Sequence, residues 1–310
     1  MGYFLGRRMP ERPDLDYVVP ILDRELAGLS IAAVRVDKPV VLRVALRDPV
    51  TVLVGRRIEH VLRRAHFVRL ELAGEPRLEL VFAPMLAGRF TLAKPDDRRP
   101  ADLALALSLS DGRELRYRDD VQMGKAYVLE AGRWDQVPGL AKVGVDVLDP
   151  KAFTLPVFRA LARTRKDQVK VFLMDKSALD AMGNAYADEV LFEARLHPKK
   201  FVRSLSAEEI DRLHDAIAGV LGAARDEVAK RRPPLDEKVR DFLKVRNRHG
   251  EACPRCGAKI RKAGVHGHDA FYCPTCQPDE RASAIVDFRR VPAPAAEQAG
   301  PPPKARTKKR

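Results

Sequence analysis

The four cysteines limit the architecture more than any other residues. They stand as Cys253-Pro254-Arg255-Cys256, then sixteen residues, then Cys273-Pro274-Thr275-Cys276. Zinc takes four soft ligands at tetrahedral corners, and two CxxC turns each supply two thiolates from one tight knuckle. The spacing falls within the zinc-ribbon pattern. The intervening GAKIRKAGVHGHDAFY reads as two strands around a glycine-containing turn. One closed structural zinc is therefore expected, with no open position for catalysis. The competing reading is a pair of redox CxxC motifs, but nothing nearby resembles a thioredoxin-type unit. No cysteine remains for a disulfide, which suits a reducing cytoplasm. His266 and His268 would overfill the site and are left as turn residues or DNA contacts. The hairpin carries Arg255, Lys259, Arg261 and Lys262, with no acid between Glu251 and Asp269. A basic hairpin stiffened by metal suits a phosphate backbone or a groove.

Charge points the same way. Lys and Arg number 57 against 43 Asp and Glu, a net charge of +14. Such a chain attracts polyanions, although arginine-rich composition and a charged tail would give the same number. No run of eighteen apolar residues occurs, so no transmembrane helix is expected; of the two polyanions, nucleic acid and an acidic membrane surface, the expected partner is nucleic acid and not membrane. The opening MGYFLGRR lacks the apolar core and cleavage site of a signal peptide.

Periodicity divides the rest. Leu15, Val18, Val19, Leu22 and Leu26 predict a helix over residues 13–28, with Pro13 in its first turn and Gly28 as its stop. From 31 to about 130 the chain reads as short strands: IAAVRV, VVLRVAL, TVLVG, FVRLELAG, RLELVFAP, LALALSLS, GRELRYRD and KAYVLEAG. A sandwich or barrel is expected from them, with residues 91–102 as a polar loop. Residues 150–232 read as helices, broken at 182–184 and 197–201. Ser206 and Glu209 form a capping box for the last.

Three segments make this pattern specific. VKVFLMDKSALDAMGNAYADEVLFEARLHP (169–198), the ribbon ending CPTCQ, and Met9-Pro10-Glu11-Arg12-Pro13-Asp14 resemble the formamidopyrimidine-DNA glycosylase / endonuclease VIII family from Met9 to about Gln277. The resemblance implies an α+β multidomain fold: an N-terminal helix plus β-sandwich, a helix–two-turns–helix domain and a C-terminal zinc-ribbon hairpin. The expected boundaries are 9–136 for the sandwich, 144–234 for the helical domain, 235–250 for a basic connector, 251–280 for the zinc finger and 288–310 for a disordered basic tail.

The resemblance also implies a chemistry. In that family the free amine of an N-terminal proline attacks the sugar C1′, expels the base and leaves a Schiff base that allows elimination of the flanking phosphates. A secondary α-amine with a pKa near ~8 is partly unprotonated at neutral pH, whereas an amide nitrogen has no lone pair to give. The expected start is therefore Met9, with residues 1–8 an extension foreign to the mature protein. Pro10 is then the nucleophile and Glu11 its acid/base. The competing reading has Pro10 and Pro13 merely opening a helix.

His66, in Arg63-Arg64-Ala65-His66-Phe67, stands where the family carries a catalytic lysine. Asn184 matches the phosphate-gripping asparagine; its other reading is a helix cap, and the two are compatible because a helix start is also an anion site open to phosphate. Glu189 matches an acid near the flipped nucleotide, or else is a partly buried helix carboxylate. Lys170 matches a lysine near the lesion pocket and phosphate, or else is a solvated helix charge. Leu86 and Met123 stand as wedges for the gap left by the flipped base, Val121 replaces an arginine that reads the orphaned base, and His268 replaces a phosphate-contacting arginine. Asp14 is one carbon shorter than the usual glutamate. The expected protein is a monomeric bacterial cytoplasmic, nucleoid-associated repair glycosylase with AP-lyase activity, one structural Zn2+, and damaged or abasic double-stranded DNA as its partner. Two competing functions remain: a non-catalytic paralogue that recognises damaged DNA, and a zinc-ribbon transcription or RNA factor.

Overall fold

The helical apolar spacing near the N-terminus forms the buried stripe of α1 (Arg12–Leu26), with Leu22 and Leu26 fully enclosed. The computed structural model describes residues 10–44, 49–180 and 182–279; the extension 1–8, Met9 and the tail 288–310 lie outside them. After α1 come β1 (Ile31–Val36), β2 (Leu42–Val44), α2 (Pro49–Leu53), β3 (Ile58–Arg64), β4 (Phe67–Leu72), β5 (Leu78–Ala83), β6 (Arg89–Ala93), β7 (Leu103–Leu109), β8 (Glu114–Arg118) and β9 (Lys125–Glu130).

The strands form a four-stranded sheet, β1-β7-β8-β6, and a five-stranded sheet, β2-β9-β5-β4-β3. Apolar residues from both, such as Leu105, Leu107, Leu115 and Tyr117 with Leu70, Leu80, Phe82 and Val128, join the α1 stripe in one core. That is the expected sandwich. Three local expectations fail. TVLVG, expected as a strand, contributes to α2: Pro49 suits a first helical turn, Leu53 is driven into the core at 1% exposure, and Gly55 at φ +81° ends the turn. IEHVLRR is a strand that the sequence reading passed over. Residues 91–93 of the expected polar loop belong to β6, whose Phe90 and Leu92 face Tyr117 and Leu115 of β8. The last two residues of VVLRVAL, 45 and 46, lie outside the described residues.

The second half is helical: α3 (Leu155–Arg163), α4 (Val169–Met174), α5 (Asn184–Glu193) and α6 (Ala207–Arg231). The capping box is present, with the Ser206 hydroxyl accepting from Glu209 N and the Glu209 carboxylate from Ser206 N. Arg232 at φ +48° and the prolines behind it stop α6. Phe158, Phe172, Leu173, Tyr186, Val190, Leu213 and Ile217 form the core of these helices. The ribbon hairpin is β10 (Arg261–Val265) and β11 (His268–Tyr272). Its turn residues, His266 and Gly267, both have positive φ, which matches the twist of a tight hairpin. The connector 235–250 is packed rather than free, because Leu243 and Val245 are buried.

A buried ion network joins sandwich to helices. Arg12 of α1 bonds Asp16 (2.6 Å), Asp146 (2.6 Å) and Asp180 (3.1 Å). Arg63 of β3 bonds Asp16 (2.9 Å), Asp180 (2.7 Å) and Asp146 (3.3 Å). Two arginines thus share three aspartates, which offsets the desolvation that each charge alone would suffer. Removing one member leaves a buried charge without its counter-ion. Asp180→Ala is expected to lower stability by roughly 3–5 kcal/mol, read as a fall in urea midpoint; an unchanged midpoint counts against the network as the joint.

Candidate active site and DNA interface

Glu11 is the residue on which the site converges. It precedes α1, and its backbone N–H donates to Asp14 (2.8 Å). Its side chain reaches across to the start of α5 and accepts from Gly183 N (2.9 Å), Ala185 N (2.9 Å) and Tyr186 N (3.2 Å). These are the orphan amides of a helix N-terminus, which favour a carboxylate. Gly183 is needed there, since a Cβ would lie 2.5 Å from Glu11 Cδ. Burial nevertheless raises the Glu11 pKa, opposed by the Arg240 charge and by the α5 amides. Arg240 itself is paired with Asp14.

Pro10, next in the chain to Glu11, is buried and lines a small cleft with Asp14, Gly88, Arg89, Glu237 and Lys238. Arg89, Glu237 and Lys238 also line a cavity of about 710 Å³, together with Arg240, Arg246 and Arg248. Burial pulls the Lys238 pKa down to about 8.

The other expected site residues divide. Leu86 and Met123 are exposed, at 43% and 44%. Their loops meet over one hydroxyl: a Cβ at Gly88 would come within 2.4 Å of Tyr117 Oη, and one at Gly124 within 1.9 Å. Buried Asp119 shapes the second loop by accepting from Val121 N, Gln122 N and Gly124 N. Asn184 is the first residue of α5, behind Gly183 as N-cap, so the helix-cap reading of its side chain falls. The α5 amides, expected to be open to phosphate, are filled by Glu11. Asn184 Oδ1 is buried with no hydrogen-bond partner.

His66 is packed on Phe67, with ring centroids 4.1 Å apart, and its Nδ1 is buried without a partner. Burial, then the positive charge of Lys176, push its pKa down to about 3, so the imidazole is neutral at physiological pH. Lys170 is not a solvated charge. It is fully buried, paired with Asp188 and donating to Asp269 O (2.8 Å), so the expected phosphate contact has no free ammonium to make it. Glu189 is buried and accepts from the amides of Lys244 (2.7 Å), Val245 (2.9 Å) and Arg246 (2.8 Å), so it holds the connector. His268 is exposed on β11. Arg255, expected to face DNA, instead donates to Phe192 O (2.9 Å) and pairs with Glu193.

The cysteine sulfurs of residues 253, 256, 273 and 276 lie within 4.8 Å of one another. Two of the separations are 3.9 and 3.4 Å, close to the roughly 3.8 Å edge of a tetrahedron with Zn–S bonds near 2.3 Å. Amides of Arg255 and Cys276 point at Cys253 Sγ and Cys273 Sγ, as expected around thiolates. The four residues fit one structural zinc.

Sequence reasoning missed Arg63, Asp146 and Asp180, whose partners lie far away in the chain, and Lys176. The only sequence signal for Lys176 was its place in the loop before GNAYADE.

A helix-bound sandwich, a helical domain and a four-cysteine ribbon with a buried glutamate at their junction define a DNA-glycosylase architecture. The model of the formamidopyrimidine-DNA glycosylase N-terminal domain matches residues 9–126, that of its H2TH domain residues 143–230, and that of the zinc finger found in FPG and IleRS residues 250–278. The formamidopyrimidine-DNA glycosylase of Nocardioides sp. is 34% identical over 298 residues, covering 92% of this chain and all of the relative. That of Symbiobacterium thermophilum is 33% identical, covering 92% and 94%. Lactococcus lactis Fpg, solved in complex with DNA containing an abasic site, superposes with a TM-score of 0.79 at 26% identity, covering 87% of this chain and all of the other. The same enzyme with a DNA containing N7-benzyl-Fapy-dG gives 0.78. The chain belongs to the formamidopyrimidine-DNA glycosylase family.

Cys273→Ser is expected to release the zinc in a thiol-reactive metal-indicator assay and to weaken DNA binding, with α5 left folded. Retention of one full equivalent of zinc would contradict the four-thiolate site.

Proposed function

We propose that this protein is a DNA repair glycosylase with AP-lyase activity, acting on oxidised, ring-opened or abasic nucleotides in duplex DNA. The observation that carries the reading is the adjacency in the chain of Pro10 and Glu11, with Pro10 lining a cleft that shares Arg89, Glu237 and Lys238 with the 710 Å³ cavity. A cavity of this size admits an extruded nucleotide, and chemistry at C1′ requires extrusion. Leu86, on the loop that borders the Pro10 cleft, and Met123 beside it would fill the gap in the stack.

In this reading the Pro10 amine attacks C1′, the base leaves with a proton, and the ring oxygen takes a proton from Glu11 as the sugar opens. The iminium so formed acidifies C2′, and elimination expels the 3′ phosphate. The amine exists only if residues 1–9 are absent from the mature chain. One fact favours that: the match to the family's N-terminal domain begins at residue 9. Asn184, with its free carbonyl oxygen turned inward, would orient the strand through its amide, and His268 would add a contact from the ribbon. The domain limits proposed are those read from the sequence. One copy holds every group this reading needs, so a monomer at the nucleoid is sufficient.

Protein trimmed to start at Pro10 is expected to be trapped covalently on abasic-site DNA by borohydride, and the 310-residue chain with Met1 intact is not. Tight binding by the trimmed protein without any adduct would favour the non-catalytic reading instead.

Glu11 offers a second measurement. Burial raises its pKa above 4.5, so its proton is lost at a higher pH than from an exposed glutamate. The profile of kcat/KM should therefore show an inflection above 4.5 that disappears in Glu11→Gln, with a rate loss of roughly 100-fold or more. An unaltered profile in the variant would remove Glu11 from the proton-transfer step.

A further inference from the structure

Among the described residues, the junction holds a cation with no partner, Lys176. Lys176 lies in the loop between α4 and α5, and that loop is held on several sides. The Lys176 carbonyl accepts from Gly144 N (2.8 Å), Asp175 pairs with Arg165 (2.7 Å), and Val145 bridges Leu179. Arg63, three residues before His66, bonds Asp180, four residues after Lys176. This fastens the β3–β4 turn against the same loop. Glu11 is fastened to it as well, through Gly183 and α5. His66 and Glu11 therefore belong to segments fastened to the loop that carries Lys176, and the Lys176 charge acts on both of them.

Within those segments the charges are otherwise accounted for. The Arg12 and Arg63 guanidiniums are shared among three aspartates. The Glu11 carboxylate accepts three backbone hydrogen bonds. His66 is neutral, so the β3–β4 turn brings no charge. The half-buried Lys176 ammonium makes no ion pair or hydrogen bond among the described residues. Burial lowers its pKa, while Glu11 and Asp175 oppose that shift. A partly desolvated ammonium with three donors and no acceptor is matched by an incoming anion.

We propose that Lys176 is a cationic residue of this site, binding a phosphate beside the nucleotide held against Pro10 and Glu11. The task falls to the helical domain because the sandwich turn offers only a neutral, buried imidazole. The inference rests on the glycosylase reading above.

The test uses the chain trimmed to Pro10 with abasic-site duplex. Lys176→Gln is expected to slow borohydride trapping roughly tenfold to hundredfold. It is also expected to reduce the slope of log affinity against log salt by about 0.9, the value for one lost phosphate contact. Lys176→Arg, which keeps the charge, should retain most of both, and an unchanged melting temperature and zinc content exclude misfolding as the cause. Trapping within about twofold of the parent and an unchanged salt slope in Lys176→Gln would overturn the proposal, as would equal impairment of the Arg and Gln variants. Failure of the parent itself to trap would count against the glycosylase reading and is separately visible.

Discussion

Two arginines sharing three aspartates hold the active-site geometry together. Arg12 comes from α1, Arg63 from the sandwich, and Asp146 and Asp180 from the helical half. Glu11 is the residue before Arg12, Asp180 lies three residues before Gly183, and His66 three after Arg63. Whatever places these charges therefore places the junction of both halves. An apolar joint of equal area could slide, but charges in a dry interior tolerate little displacement, because each lost contact leaves desolvation uncompensated.

A second set of buried charges mounts the ribbon. Lys170 and Arg246 meet on Asp188, both donate to the Asp269 carbonyl, and Gln277 spans from Cys273 N to Leu196 O. Phe192 of α5 packs among Val245, Ile260 and Phe271. The hairpin is too small to carry a core of its own, so metal supplies its internal order and α5 supplies its orientation. Lys170 and Glu189, which the sequence suggested for DNA, are consumed in this mounting. The same helix thus serves Glu11 at its first turn and the connector and ribbon further along.

Hydrophobic spacing and ligand chemistry were legible directly. The α1 stripe, the Ser206 capping box, most of the strands and the four zinc ligands each depend on residues close in sequence, where period and spacing are the physical signal. TVLVG misled because its β-branched composition is a weak prior that Pro49, Gly55 and the burial of Leu53 outweigh. IEHVLRR was passed over because its charges mask a strand that the neighbouring β4 makes obligatory.

By itself, then, the amino-acid order determined most of the element types, the metal site and the family whose motifs surround Pro10, Asn184 and the cysteines. Only the tertiary structure decided which charges are spent and which remain. Lys170 and Lys176 are the same residue type six positions apart, yet one is sealed in an ion pair and the other has no partner among the described residues. His66 is neutral because of what buries it. Solvation and the identity of distant neighbours set the state of a charged group, and neither is a property of local sequence.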